Sequence, residues 1–240
     1  MGKFHANKFP GETETYRRMR DQLLESEINL RKQIEEVAAL RRQLPQGGKI
    51  KEDYVFDEGA SDLSDRRTVR RTRLSELFDA GKNTLVIYSF MFAPDWGKAC
   101  PSCTSILDGL NGSAPHIYDR VNFAVVAKAP IDKIREWGRG RGWNNLRLLS
   151  SSHNTYNRDY FAESDERGQM PAINVFQKGK DQIHHFYNSE LLYASAEPGQ
   201  DPRHVDLIFG RTHYHRQLPL PGLPEGGGRR VCSGSRSSNC

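Results

Sequence analysis

The stretch that decides the fold is residues 84–110, which read TLVIYSFMFAPDWGKACPSCTSILDGL. Its first nine residues are almost continuously apolar, a pattern typical of a buried strand. A loop containing Pro94 follows, and then Cys100 and Cys103 open a helix predicted over 103–110. A buried strand that leads through a loop to a closely spaced cysteine pair at a helix start predicts a thiol redox centre.

Apolar patterns predict further elements on both sides of this stretch. We expect strands at residues 51–57, within 68–74, and at 121–127, 146–149, 172–178 and 182–187, and helical segments at 75–80, 131–139 and 203–214. From the strand at 84 onward the order is β-α-β-α-β-β-α, which is the order of the thioredoxin fold. The predicted fold class is therefore α/β and thioredoxin-like, a mixed central sheet flanked by helices.

A long N-terminal helix is predicted at residues 15–44, before this domain. The apolar residues that recur every seven positions are Tyr16, Leu23, Leu30, Val37 and Leu44. Ser26 and Gln33 interrupt the neighbouring apolar row, so an amphipathic helix is favoured over a strict coiled coil. We expect it to lie on its own domain or to join two copies of the chain as a homodimer.

Composition divides the chain into four parts. Residues 1–14 are expected to be a flexible N-terminus, 15–48 the helix and a linker, and 49–215 the thioredoxin-like domain. Residues 216–240, rich first in Pro and Gly and then in Ser and Arg, are expected to form a disordered or atypical tail.

Charge and hydropathy exclude several classes of partner. The 35 basic and 30 acidic residues give a net charge of +5 without a dense basic patch, and the arginines of 66–73 have no aromatic residues between them. We therefore expect no nucleic-acid partner. No apolar run is long enough to span a membrane, and the N-terminus lacks an apolar secretory core. The sequence predicts a cytoplasmic protein with no membrane partner.

The cysteine pair has two competing interpretations, zinc binding and redox chemistry. Structural zinc needs about four ligands, and the remaining cysteines, Cys232 and Cys240, lie in the tail, so no metal site is predicted. At a helix start, backbone N–H groups and the helix dipole favour the thiolate of Cys100. Cys100 is then the nucleophile and Cys103 the resolving thiol. No cofactor is required for this chemistry.

Four residues are predicted to form the substrate-binding part of the site: Trp96, Pro101, Met170 and Pro171. Pro101 suits the first helical turn, where its missing N–H is not needed. Trp96 lies four residues before Cys100 and is expected at the rim of the site. Pro171 precedes the strand 172–178, and we predict a cis Met170–Pro171 bond that faces the cysteines, with the Met170 backbone free to pair with an extended substrate. The alternative is that Pro171 merely begins the strand.

Several long motifs resemble those of a bacterial thioredoxin-like family of unassigned function, domain of unknown function 899, whose members are often described as dithiol-disulfide oxidoreductases. The motifs are YSFMFAPDWGKACPSCTSILDGLNGSAPHI, EDYVFDEG, VNFAVVAKAPI, RGWNNLRLLSSSHNTYNRDY, QMPAINVFQKGKDQIHHFY and SELLYASAEPGQDPRHVD. The resemblance runs from about Arg17 to Asp206 and implies a thioredoxin fold with thiol-disulfide activity. The sequence after Asp206 departs from the family pattern, which puts the closing helix in doubt.

Three functions remain open at this point. The first is a dithiol-disulfide oxidoreductase that acts on a protein or small-molecule disulfide and is restored by an external thiol reductant. The second is a peroxiredoxin-like peroxidase, although Gly97 lies near the position where a peroxidase would have Thr or Ser, and the spacing from Pro94 to Cys100 is one residue short. The third is a non-catalytic thioredoxin-like module that binds partners.

Overall fold

The computed structural model describes residues 3–199, and the chain divides into two compact units. One unit ends at Pro45 and contains α1 (Glu14–Gln43), which confirms the predicted N-terminal helix. Thr13 caps the helix start by accepting a hydrogen bond from the Tyr16 N–H at 3.1 Å. No helix of the described part of the chain is both long and apolar enough to cross a membrane.

The second unit, from Gln46 onward, is built around a seven-stranded sheet. Its strands are β1 (Val55–Gly59), β2 (Val69–Arg73), β3 (Thr84–Phe90), β4 (Asn122–Ala127), β5 (Leu148–Ser150), β8 (Ala172–Lys178) and β9 (Ile183–Asn188), while β6 (Glu163–Ser164) and β7 (Gly168–Gln169) form a separate hairpin. The first strand is shorter than the predicted 51–57 and lies later in the chain, ending at Gly59.

The strand order is β2-β1-β5-β4-β3-β8-β9. Strands β3, β4 and β5 run parallel, joined by α2 (Pro101–Tyr118) and α3 (Ile131–Arg141), whereas β8 and β9 are antiparallel. A β-α-β unit with a hairpin on the other side of its first strand is the thioredoxin arrangement, and it confirms the predicted fold. The helix predicted at 203–214 lies outside the described residues.

The alternation of β3 assigns its side chains to two cores. Tyr88 and Phe90 face α2 and α3, together with Phe123 and Val125 of β4. Leu85 and Ile87 face the opposite side, which is covered by a 3₁₀ turn at Leu74–Leu77 and by α4 (Tyr156–Asp159). Because successive strand residues point to opposite faces, the central strand is buried on both sides.

Helix α2 is longer than the predicted 103–110 and continues to Tyr118, with Pro115 inside it. A proline cannot donate to the carbonyl four residues earlier, which is that of Asn111. The side-chain amide of Asn145 donates to this carbonyl at 3.1 Å, and the Asn145 N–H donates to the Asn111 side chain at 2.9 Å. The contact from the loop after α3 therefore satisfies the group that the proline leaves unpaired.

The outer hairpin β1–β2 is held to the sheet by a buried carboxylate. Glu58 accepts hydrogen bonds from Arg147 Nε at 2.8 Å and from the Thr72 hydroxyl at 2.7 Å, and Arg70 lies 3.1 Å away. Strand β2 is at the sheet edge and carries exposed arginines, as expected for a charged edge hairpin.

Candidate redox site

Cys100 stands immediately before α2 as its N-cap residue, and Pro101 is the first helical residue. The Cys100 N–H donates to the Met91 carbonyl at 3.1 Å, and its own carbonyl accepts from the Thr104 N–H at 2.9 Å. The first bond ties the cysteine to the end of β3, and the second closes the first helical turn. The structure therefore positions Cys100 where the sequence predicted it, half-buried at the helix start.

The pKa of the Cys100 thiol is lowered from its ordinary value of 9.0 to about 6. The largest cause is a hydrogen bond with the Cys103 side chain. Burial opposes it, and the backbone N–H groups of Cys103 and Ser102 lower the pKa further. These N–H groups belong to the open first turn of α2, where they lack helical partners. At neutral pH Cys100 is therefore mainly a thiolate, the form that attacks disulfides.

Cys103 lies one turn further into α2 and is buried, with 2% of its surface exposed. Its pKa is raised well above 9.0 by the hydrogen bond to Cys100, by burial and by the Cys100 charge. Both cysteines are free thiols. The pair thus consists of an accessible thiolate above a protonated, inaccessible thiol.

Two groups that the sequence analysis missed act on the buried thiol. The Tyr88 side chain, which belongs to the same buried cluster as Cys103, and the Met91 main chain both oppose the rise of the Cys103 pKa. Tyr88 could have been recognised in the sequence, because a buried tyrosine hydroxyl usually needs a partner and alternation puts residue 88 on the same face as Phe90. The Met91 amide carries no sequence signal.

A further group that the sequence analysis missed lies beside the first turn of α2. The Thr104 hydroxyl donates to the Cys100 carbonyl at 2.9 Å and accepts from Trp137 Nε1 at 3.2 Å. Trp137 belongs to α3, so this chain of hydrogen bonds joins the second helix to the start of the first. The threonine is thereby oriented toward the backbone of Cys100.

The predicted substrate-binding residues divide into two groups. Trp96 packs half-buried against the core cluster that also contacts Cys100, and Pro101 is exposed at the helix start. Met170 and Pro171 are half-buried just before β8. Ala172 pairs with Ser89 near the end of β3, so Pro171 lies at the end of the sheet where the cysteine loop begins.

The predicted cis-proline is wrong: every peptide bond of the described residues is trans, including Met170–Pro171. The hairpin β6–β7 leads the chain directly into β8, and a trans bond, the ordinary preference of X–Pro, fits this extended path. The Met170 N–H donates to the Ala162 carbonyl at 2.9 Å. This N–H is therefore occupied and is not free to pair with a substrate strand.

Among residues 3–199, no three His, Cys, Asp or Glu side chains are grouped to hold a metal ion. The candidate site consists of the two thiols, the groups that hydrogen-bond them, and the half-buried apolar residues around Cys100.

Several solved structures are similar to this chain at low sequence identity. The reduced Prx3 of Vibrio vulnificus, in complex with hydrogen peroxide, is 13% identical with a TM-score of 0.47, covering 73% of this chain and 100% of its own. The reduced 2-Cys peroxiredoxin of Plasmodium vivax is 13% identical with a TM-score of 0.46, covering 72% and 100%. The exposed lipoprotein thioredoxin of Streptococcus pneumoniae is 17% identical with a TM-score of 0.38, covering 55% and 87%. Similarity at this level says nothing about the reaction of this chain.

A comparison with curated proteins gives no match. A family model described as "Bacterial protein of unknown function (DUF899)" matches residues 6–214, which is most of the chain and includes the cysteine pair, the sheet and the N-terminal helix. The chain therefore belongs to this family of bacterial proteins of unknown function.

Proposed function

We propose that this protein is a thiol-disulfide oxidoreductase in which Cys100 attacks a substrate disulfide and Cys103 resolves the mixed disulfide. Attack by the Cys100 thiolate forms a bond between Cys100 and one substrate sulfur and releases the other sulfur as a thiol. Cys103 then displaces the bound sulfur, leaving a Cys100–Cys103 disulfide and a second substrate thiol. An external thiol reductant returns the pair to its dithiol form.

The observation that carries this proposal is the contrast between the two thiols. Cys100 has a pKa of about 6 and is half-buried, whereas Cys103 is buried, has a raised pKa and hydrogen-bonds Cys100. A reactive thiolate in contact with a protected partner thiol is the arrangement that a two-step exchange requires. Trp96 and Pro101 are proposed to contact the substrate.

A peroxidase is supported less well by the same site. A peroxidatic cysteine needs a hydroxyl or similar donor directed at the peroxide beside the thiolate. The Thr104 hydroxyl donates instead to the Cys100 carbonyl and accepts from the Trp137 indole. Its hydrogen-bonding geometry is therefore directed at the backbone rather than at a substrate above Cys100.

Trapping the mixed disulfide tests the proposed function. All proteins carry Cys232→Ser and Cys240→Ser, so that only the pair can react. Cys103→Ser incubated with a peptide disulfide should gain the mass of one peptide thiol, and Cys100→Ser should gain none. The protein with both Cys100 and Cys103 should instead release two thiols and form an internal disulfide.

The alternatives give different results. Absence of an adduct on Cys103→Ser, with the protein folded, would overturn the proposal. Peroxide consumption that survives Cys103→Ser while peptide disulfides do not react would indicate a peroxidase. A Cys100→Ser strain that retains all cellular function would indicate a non-catalytic binding module.

A further inference from the structure

We propose that Lys133 of α3 positions the Trp96 turn (residues 93–96) for substrate binding, so that this lysine controls how fast Cys100 captures a bulky disulfide and not how reactive its sulfur is. The inference rests on the proposed function, because it concerns the capture step and the substrate contact proposed for Trp96. Lys133 is a positioning residue in this scheme, since it acts through the turn.

The Trp96 turn lies on the path from β3 to Cys100. The Trp96 N–H donates to the Ala93 carbonyl at 3.2 Å, which closes a turn with Pro94 at its second position, where proline is favoured. Ala93 is buried and Pro94 is exposed, while the Trp96 side chain packs half-buried against the cluster that also contacts Cys100. The conformation of the turn therefore decides where the Trp96 ring lies, four residues before the reactive cysteine.

Lys133 holds this turn from another element of the fold. Its Nζ donates to the Pro94 carbonyl at 2.7 Å, a distance typical of a hydrogen bond from a charged donor. Among residues 3–199, this is the one hydrogen bond between residues 94–98 and another element. The same Nζ lies 5.0 Å from the centre of the buried Phe92 ring, within the range of a cation–π contact. Two contacts thus fix the ammonium group beside the turn.

Helix α3 is itself fixed against the end of β3. The Ala129 N–H, just before the helix, donates to the Phe92 carbonyl at 2.8 Å. Trp137 lies one turn after Lys133 on the same face of α3. Its ring packs on Phe92 with centroids 5.8 Å apart, and its indole N–H donates to the Thr104 hydroxyl at 3.2 Å. The base from which Lys133 reaches Pro94 is therefore held at several points.

The lysine acts on the turn rather than on the Cys100 sulfur. The causes of the lowered Cys100 pKa are the Cys103 side chain and the N–H groups of Cys103 and Ser102, and Lys133 is not among them. Its ammonium group is directed at a carbonyl instead. A small reagent that touches only the sulfur should therefore not sense the loss of Lys133, whereas a substrate large enough to reach Trp96 should.

Capture of a peptide disulfide and alkylation by iodoacetamide, compared in the same proteins, separate these two effects. All proteins carry Cys103→Ser, Cys232→Ser and Cys240→Ser, so that Cys100 is the only thiol and capture is the only step. The peptide has phenylalanines on both sides of its cysteine. Lys133→Met keeps the straight stem without the charge and should capture the peptide about 10-fold more slowly, the lower end of the range for losing a hydrogen bond from a charged group. Its alkylation rate and the pH profile of that rate should not change.

Three further variants control for other effects of the substitution. Lys133→Arg keeps the charge and the donors and should restore most of the capture rate. Lys82→Met is the matched control, because Lys82 also donates to a backbone carbonyl, that of Tyr118, but precedes β3 at the opposite end of the sheet. Both of its rates should equal those of the parent. Lys133→Gln, which is shorter and uncharged, gives the same test should Lys133→Met not fold.

Combining Lys133→Met with Trp96→Ala tests the route through the tryptophan. Trp96→Ala alone should slow capture of the peptide, because it removes a substrate contact. A residue that acts through Trp96 has no further effect once the ring is gone, so the double variant should capture the peptide no more slowly than Trp96→Ala.

Several results would overturn the inference while leaving the proposed exchange intact. They are an unchanged rate of peptide capture in Lys133→Met, an equal slowing of its alkylation, and an undiminished effect of Lys133→Met in the Trp96→Ala protein. An unchanged rate in Trp96→Ala would remove Trp96 from the substrate site and the inference with it. Failure of the parent protein to form any peptide adduct would instead overturn the proposed function.

Discussion

At the scale of single residues, the reactivity of Cys100 depends chiefly on one neighbour. The Cys103 side chain is the largest cause of the lowered Cys100 pKa, ahead of the two backbone N–H groups. A serine at position 103 keeps a donor there, whereas an alanine removes it. The two substitutions therefore separate the contribution of the hydrogen bond from that of the helix start.

We expect Cys103→Ala to raise the pKa of Cys100 and Cys103→Ser to raise it less. The thiolate is the reactive form, so the alkylation rate should climb with pH through about 6 in the unsubstituted protein and at higher pH in Cys103→Ala. At pH 6 the alanine variant should react several-fold more slowly. Rates of iodoacetamide alkylation between pH 4 and 9 measure this shift. Identical profiles for all three proteins would contradict the assignment of Cys103 as the main cause.

At the scale of elements, helix α3 offers a test of how it packs on the sheet. A Cβ on Gly138 would lie 3.0 Å from Leu148 of β5 and 3.6 Å from Trp143, whereas a Cβ on Gly140 would meet no atom within 4 Å. Both glycines lie inside the same helix, so alanine brings about 0.5–1 kcal/mol of helix stabilisation at either position. The difference in stability between the two alanine variants therefore measures crowding against β5.

Gly140→Ala should accordingly stabilise the protein by about 0.5–1 kcal/mol. The free energy of unfolding of Gly138→Ala should be about 1 kcal/mol or more below that of Gly140→Ala, because close packing resists added methyl groups. Urea denaturation of both variants and the parent measures the two free energies of unfolding. Equal stabilisation by both substitutions would show that β5 yields to the added methyl without cost.

The attachment of β1–β2 to the sheet gives a second test at this scale. Glu58→Gln should lower the free energy of unfolding by about 2 kcal/mol at pH 7, because it leaves Arg147 without its buried anionic partner. Asp165→Asn, which breaks the exposed pair with Arg158, should leave the free energy of unfolding nearly unchanged. Urea denaturation provides both values, and equal losses would contradict the role given to Glu58.

The pH dependence of this effect has a defined sign. Burial raises the pKa of Glu58, but hydrogen bonds from Arg147 and Thr72 outweigh it and hold the pKa below 4.5. A carboxyl with a lowered folded-state pKa stabilises the protein above its unfolded-state pKa and loses that contribution as pH falls through the folded-state value. The difference between the parent and Glu58→Gln should therefore shrink as the pH falls below about 4.5.

Local sequence signals predicted the central part of this molecule well. The apolar run at 84–92 and the proline at position 101 are enough to locate β3 and the start of α2, because both depend on neighbouring residues. The full length of α2 could not be predicted in this way, since Asn145 satisfies the Asn111 carbonyl from 34 positions away. The Met170–Pro171 geometry depends likewise on β6–β7, whose two-residue strands have no clear pattern.

The site shows the same division. Cys100 and Cys103 can be identified in the sequence by their spacing, but the groups that set their protonation come from the tertiary structure. Tyr88 acts on the Cys103 pKa from a different element, and Met91 does so through a main chain that any residue could provide. The reacting residues can therefore be predicted from the sequence more easily than the residues that control their protonation.

At the scale of the whole molecule, the feature that calls for a partner is the apolar row of α1. Its exposed members are Tyr16, Met19, Leu23, Leu30, Ile34, Val37 and Leu40. The helix has 30 residues and is about 45 Å long at 1.5 Å per residue, enough for four heptads. The seven-residue spacing favours the same helix of a second copy as the partner, although polar residues at the neighbouring row weaken that seam.

We therefore expect the full chain to form a homodimer that depends on this row. Leu23→Glu with Leu30→Glu should shift the protein to monomer, because burying two charges in an apolar seam is strongly unfavourable. Lys32→Glu lies on the opposite face of the helix from Leu23 and should leave the dimer intact. It controls for the added negative charge. Sedimentation velocity over a range of protein concentrations measures the association. A parent protein that stays monomeric at high concentration would rule out the dimer, and the apolar row would then need a different partner. A dimer unaffected by the two leucine substitutions would show that the contact between the copies lies elsewhere.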